Sequence, residues 1–234
     1  LRRSRGLGDV YKRQDTLIKF QVIDDNSSDE NLKKLKDLIN THGIDCEIIN
    51  HDKSEHKEKI AAENNQETFG NLSSLLKCFE VAKKDQSDLI YFVEDDYLHY
   101  EHSLVDMLNT YERVSSQHKD EIIVCPSDYP FNYMNNEKTN ILIGSQQHWR
   151  TITKMLCTFM ISKKMFQKHI DNFEKTCEKR HEPFEKYLNK ILESEIGISP
   201  IKSLAIHMTN VNSSYGLSPF IDIKKLWEEN KISQ

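Results

Sequence analysis

The sequence predicts an α/β fold, a mostly parallel central sheet flanked by helices. Three observations predict it. Apolar runs of strand length alternate with segments of helical period, and the links between them are short. That alternation is the signature of a parallel sheet with crossover helices. The third is the run "DLIYFV" (88–93), apolar from Leu89 with no polar alternation, as expected of a central strand buried on both faces.

In chain order, "TLIKFQVI" (16–23) reads as the first strand. Ser28 or Asp29 can cap the helix after it, where Leu32, Leu35 and Ile39 recur at helical spacing and Gly43 ends the pattern. "IDCEIIN" (44–50) is a second strand, and the charged run from His51 to about residue 66 reads as a solvated connection. "GNLSSLLKCFEVAKK" (70–84) places Leu72, Leu75, Leu76, Phe79 and Ala82 on one helical face. After "DLIYFV" come a helix over about 102–114 and the strand "EIIVCP" (121–126).

The second half is less regular. "YPFNYMNNEKTN" (129–140) is a loop with aromatics, "ILIG" and "LCTFMIS" read as strands, and 163–178 and 183–193 as helices. "ISPIKSLAIHMT" (198–209) is strand-like and carries His207 near its end. No repeat or linker divides residues 15–234, which read as one domain. "LRRSRGLGDVYKRQ" (1–14) has a basic bias and no period, so it reads as a non-native leader outside the fold.

Composition narrows the function. The 234 residues carry a net charge of −5, from 32 basic and 37 acidic side chains, which argues against a nucleic-acid partner. Five cysteines at 46, 78, 125, 157 and 177 form no C-x-x-C pair, so neither structural zinc nor a disulfide framework is expected, and a cytoplasmic setting is. The pairs His51/His56 and His99/His102 lack a cysteine or third ligand nearby. No apolar run approaches the ~20 residues of a membrane helix.

Acids accumulate where strands run out: Asp24/Asp25 after the first and Glu94/Asp95/Asp96 after "DLIYFV". Open α/β sheets bind ligands beyond the carboxyl ends of their strands. Adjacent carboxylates repel, so they stand either in a solvated turn or around a cation. An EF-hand does not fit. Twelve positions from Asp24 or Asp25 end on Leu35 or Lys36 instead of Glu, with no Gly at the sixth.

Taken together, "VIDDNSSDEN" (22–31), "GNLSSLLKCFEVAKK" (70–84) and "YFVEDDYL" (91–98) resemble, in order and spacing, the motifs of a family-2-type glycosyltransferase of the GT-A, Rossmann-like fold. The resemblance covers roughly residues 17–130, and "CTFMISKKMF" (157–166) extends it with weaker specificity. Two departures stand out. The family's opening strand and helix are replaced by residues 1–14, so the chain looks N-terminally truncated. The family's acidic pair near the acceptor is replaced by "RHEPFEKYL" (180–188).

The resemblance implies metal-dependent transfer of a sugar from a nucleotide-diphosphate donor to an acceptor hydroxyl, with inversion. Mn²⁺ or Mg²⁺ would be held by Glu94 and Asp96, with His207 as a further ligand. Asp24, Asp25, Asn71 and Asp95 would bind the nucleotide, Asp25 at the base and Asp95 at the ribose or a metal-bound water. Glu182 is the first choice of base, with Glu185 and then Asp128 as alternatives. The segment "MTNVNSSYGLSP" (208–219) is long enough to fold over a donor as a lid. The acceptor would be a glycan, a lipid-linked carrier or a small molecule, and peripheral association at the inner face of the membrane is a further expectation. Two other readings stay open: a sugar-phosphate nucleotidylyltransferase, and a truncated, non-catalytic fragment that binds a nucleotide sugar.

Overall fold

The computed structural model describes residues 17–60, 63, 65–134, 136–208 and 221–231. The leader expected at 1–14 lies outside the described residues. The chain divides into two compact units between Glu58 and Lys59.

The first unit is a strand–helix–strand motif: β1 (Phe20–Asp24), α1 (Asp29–His42) and β2 (Cys46–Asn50). The strands pair in parallel, with Phe20 opposite Cys46 and Asp24 opposite Asn50. A parallel pair needs a crossover, and α1 supplies it. Both ends of α1 follow the sequence. Ser28 accepts a hydrogen bond from the Asn31 amide, and Gly43 closes the helix at φ 60°, a conformation that only glycine adopts without strain. The connection after β2 is not featureless: it carries a short 3₁₀ turn, Lys53–His56, capped by Asp52.

The second unit holds the remaining elements. Its strands are β3 (Leu89–Phe92), β4 (Tyr97–His99), β5 (Ile122–Val124), β6 (Ile141–Ile143), β7 (His148–Ile152), β8 (Phe159–Ser162), β9 (Ile196–Pro200) and β10 (Ala205–His207). Its helices are α2 (Gln66–Lys84), α3 (Ser103–His118), α4 (Lys163–Lys168), α5 (Ile170–Thr176), α6 (Lys186–Ile191) and α7 (Ile223–Asn230). Six strands form one sheet in the order β3-β8-β5-β9-β7-β6, while β4 and β10 form a separate antiparallel pair.

The α/β class holds, but the sheet is mixed and not mostly parallel. Within the six strands only β5 and β9 run parallel; every other pairing is antiparallel. The cause is local. A short turn at 144–147 joins β6 to β7, and a turn that tight connects only antiparallel strands. β8 lies antiparallel between β3 and β5.

β3 is also not central, since it ends the order of its sheet. Its apolar run has another explanation. Ile90 and Phe92 join one hydrophobic cluster, and Leu89 and Tyr91 join a second. Both faces are covered although one edge lacks a partner in that sheet. The expected strand over 198–209 is two strands, β9 and β10, and the helix expected over 163–178 breaks at His169 into α4 and α5.

The main core lies behind the end of β3. Phe79, Phe92, Phe159, Phe166 and Phe173 pack together there, with Phe79 edge-on to Phe92 at 5.2 Å and Phe166 at 4.8 Å from Phe173. Rings in such edge-on and tilted contacts add to the burial energy, so the acids beyond Phe92 stand on a rigid base. No helix of the described residues is long and apolar enough to cross a membrane.

Candidate functional site

The acid run forms the turn between β3 and β4. Phe92 pairs with Phe159 of β8, which brings Thr158 beside Glu94. The Glu94 amide donates to Thr158 Oγ1 at 3.0 Å, and the Thr158 hydroxyl donates back to Glu94 Oε2 at 3.4 Å. The other side of the turn is fixed by β10. His207 stands opposite Tyr97 in the β4–β10 register, and the Met208 amide donates to the Asp96 carbonyl at 2.7 Å.

Three side chains meet as a result. One ligand atom each from Glu94, Asp96 and His207 lies within 4.8 Å of the others. His207 Nε2 donates to Asp96 Oδ2 at 2.8 Å. Two carboxylates and an imidazole form a hard, mainly oxygen donor set of the kind Mn²⁺ accepts and Mg²⁺ tolerates. Their electrostatics agree with that chemistry. Burial first, then the charges of Asp96, Glu185 and Asp95, push the Glu94 carboxyl up to about 7, and a cation would relieve the repulsion.

A cleft of about 570 Å³ is lined by Tyr129, Phe131, Leu156 and the whole run from Arg180 to Glu185, within the size range of small-molecule sites. Glu185 is half-buried, and burial, with the nearby Glu182 charge, raises its carboxyl above the ordinary value. Its charge also reaches Glu94, so one carboxylate belongs to the cleft and acts electrostatically on the acid turn. Glu182 is exposed at the rim.

No protein-family model and no curated protein matches this chain.

The other expected site residues are placed as follows. Asp95 is exposed in the turn. Asn71 is exposed on α2. In the first unit Asp24 is buried at the end of β1 and accepts from the Ser27 amide at 3.3 Å, and Asp25 pairs with Lys53 at 2.9 Å. Asp128 is buried, ion-paired with Arg150, and accepts from the Tyr133 hydroxyl at 2.5 Å. It anchors the turn that carries Tyr129 and Phe131. Of the lid expected over 208–219, all but Met208 lies outside the described residues.

Sequence reasoning missed three residues at this site: Thr158, Tyr97 and Tyr129. Thr158 sits in an apolar run, and the two tyrosines read as packing. None is charged, and their partners are tens of residues away in the chain. The aromatics of the 129–140 loop were the one available signal for Tyr129.

Proposed function

We propose that this chain is a metal-dependent glycosyltransferase that moves a sugar from a nucleotide diphosphate to an acceptor hydroxyl with inversion. The observation that carries the reading is the Glu94–Asp96–His207 cluster, with Glu185 of the adjoining cleft close enough to perturb Glu94. Mn²⁺ or Mg²⁺ held by those three side chains would supply charge stabilisation at the leaving diphosphate. The family resemblance supports the same assignment for Glu94 and Asp96.

In this reading the acceptor occupies the cleft between Phe131, Leu156 and Phe184. Its hydroxyl gives up its proton to the Glu185 carboxylate while the oxygen forms a bond to the anomeric carbon. The bond from that carbon to the diphosphate oxygen breaks, and the electron pair leaves with the diphosphate. A carboxyl held above its ordinary value by burial is a stronger base than an exposed one, which favours Glu185 over the exposed Glu182. Asp128, already paired with Arg150 and Tyr133, is the weakest of the three candidates. The nucleotide roles of Asp24, Asp25 and Asn71 rest on the resemblance alone.

Calorimetric titration of a panel of nucleoside diphosphates, with Mn²⁺ and with chelator, tests the reading. Binding should require the cation and vanish in Asp96→Asn. Equal affinity with and without chelator would sink it. With a donor identified, Glu185→Gln should abolish transfer while Glu182→Gln retains most of it, and the reverse pattern moves the base to Glu182.

A further inference from the structure

Behind His207 the structure places a plate. Tyr97 lies opposite it in the β4–β10 register, and the two rings stack with centroids 4.8 Å apart at 12°. Tyr97 is buried at 7% exposure, and its hydroxyl is hydrogen-bonded to that of Tyr129. Tyr129 in turn stacks on Phe131 at 5.1 Å and 8°, and both line the cleft. A continuous line of contacts therefore runs from His207 through two phenols to the cleft wall.

We infer that Tyr97 is a positioning residue for His207: its ring fixes the imidazole plane so that Nε2 faces Asp96, and the Tyr129 hydroxyl fixes Tyr97. The inference rests on the metal-site reading above. An imidazole turns about χ2 over a broad, nearly two-fold profile. Left to turn, it would present Nδ1 or a ring carbon to Asp96 as readily as Nε2. The plate confines the ring to one plane, and the bond to Asp96 then selects the flip that presents Nε2 before a cation arrives. Partners that orient a ligand in this way typically change metal affinity by 10–100-fold when removed.

Mn²⁺ titration of the full chain by calorimetry tests the inference. Tyr97→Leu, which deletes the plate, should weaken Mn²⁺ by about 10–100-fold. Tyr97→Phe and Tyr129→Phe remove the same hydroxyl pair, so each should lose a smaller and matching factor. Tyr111→Phe is the control, because it removes a hydroxyl bonded to Glu121 just before β5, and it should leave affinity unchanged. A folded Tyr97→Leu with wild-type affinity overturns the inference. Should that variant not fold, unchanged affinity in Tyr129→Phe overturns it.

A wild-type chain that binds no Mn²⁺ would defeat the proposed function, and the positioning role is then decided without metal. In ¹⁵N spectra of the metal-free chain, wild-type His207 should show one tautomer, protonated at Nε2. A mixture of tautomers in Tyr129→Phe or Tyr97→Leu supports the positioning role. The same single tautomer in both variants ends it.

Discussion

Replacing Glu94 with Gln should make the metal-free protein more stable at pH 8, and about a quarter as much at pH 5. The Glu94 carboxyl rises from 4.5 to about 7 because burial, and then its acidic neighbours, disfavour the charged form. The sign follows from proton counts. Between those two values the native state holds a proton that the unfolded chain has released, so stability falls as pH rises through that window and stays low above it. At about 1.36 kcal/mol per pH unit, the shift corresponds to about 3 kcal/mol at pH 8. The amide of the Glu94→Gln variant would be neutral at every pH and could still accept from the Thr158 hydroxyl, so it should recover most of that amount. Urea unfolding in chelator at pH 5 and pH 8 measures this as a change in midpoint at constant slope. Added Mn²⁺ should raise the wild-type midpoint at pH 8 and leave the variant's nearly unmoved, since a ligand stabilises only the state that binds it. A Glu94→Gln protein no more stable than wild type at pH 8 would refute the reasoning.

Asp128→Ala should cost about 3–5 kcal/mol of stability, because it strands Arg150, only 7% exposed, without its carboxylate; a midpoint unchanged in urea would show the pair to be dispensable. Gly144→Ala should cost about 1–3 kcal/mol by thermal or urea unfolding. A Cβ there would run into the Trp149 ring, and Trp149 is fully buried.

What could be read from the sequence was whatever depends on neighbours in the chain. α1 was legible because Ser28 and Gly43 mark its ends and Leu32, Leu35 and Ile39 its face. α2 was legible from Leu72 to Ala82, although it begins at Gln66, four residues before the expected start at Gly70, and Asn65 caps it by accepting from the Thr68 amide. Strand direction was not legible, since a hydrophobic run looks the same whether its neighbour is parallel or antiparallel. β4 and β7 escaped because "YLH" and "HWRTI" are short or mix charge with aromatic rings. Their burial is set by β10 and β9, about a hundred and about fifty residues on.

The site divides along the same line. Glu94, Asp95 and Asp96 announce themselves as three adjacent charges, and no partner is needed to see them. Thr158 and Tyr97 become meaningful only once β8 lies beside β3 and β10 beside β4. The energetics explain why the acids are the informative part. A turn that needed only to be soluble would keep its carboxylates in water, where they cost nothing. Here Glu94 is drawn in under Thr158 beside Asp96 and within reach of Glu185, at a cost to the folded state. The proposed metal site would account for that cost, since a bound cation would offset the repulsion among these carboxylates. In the first unit, by contrast, Lys53 pairs with Asp25 Oδ2 and the Ser27 amide donates to Asp24 Oδ1, so each acid there has a local partner.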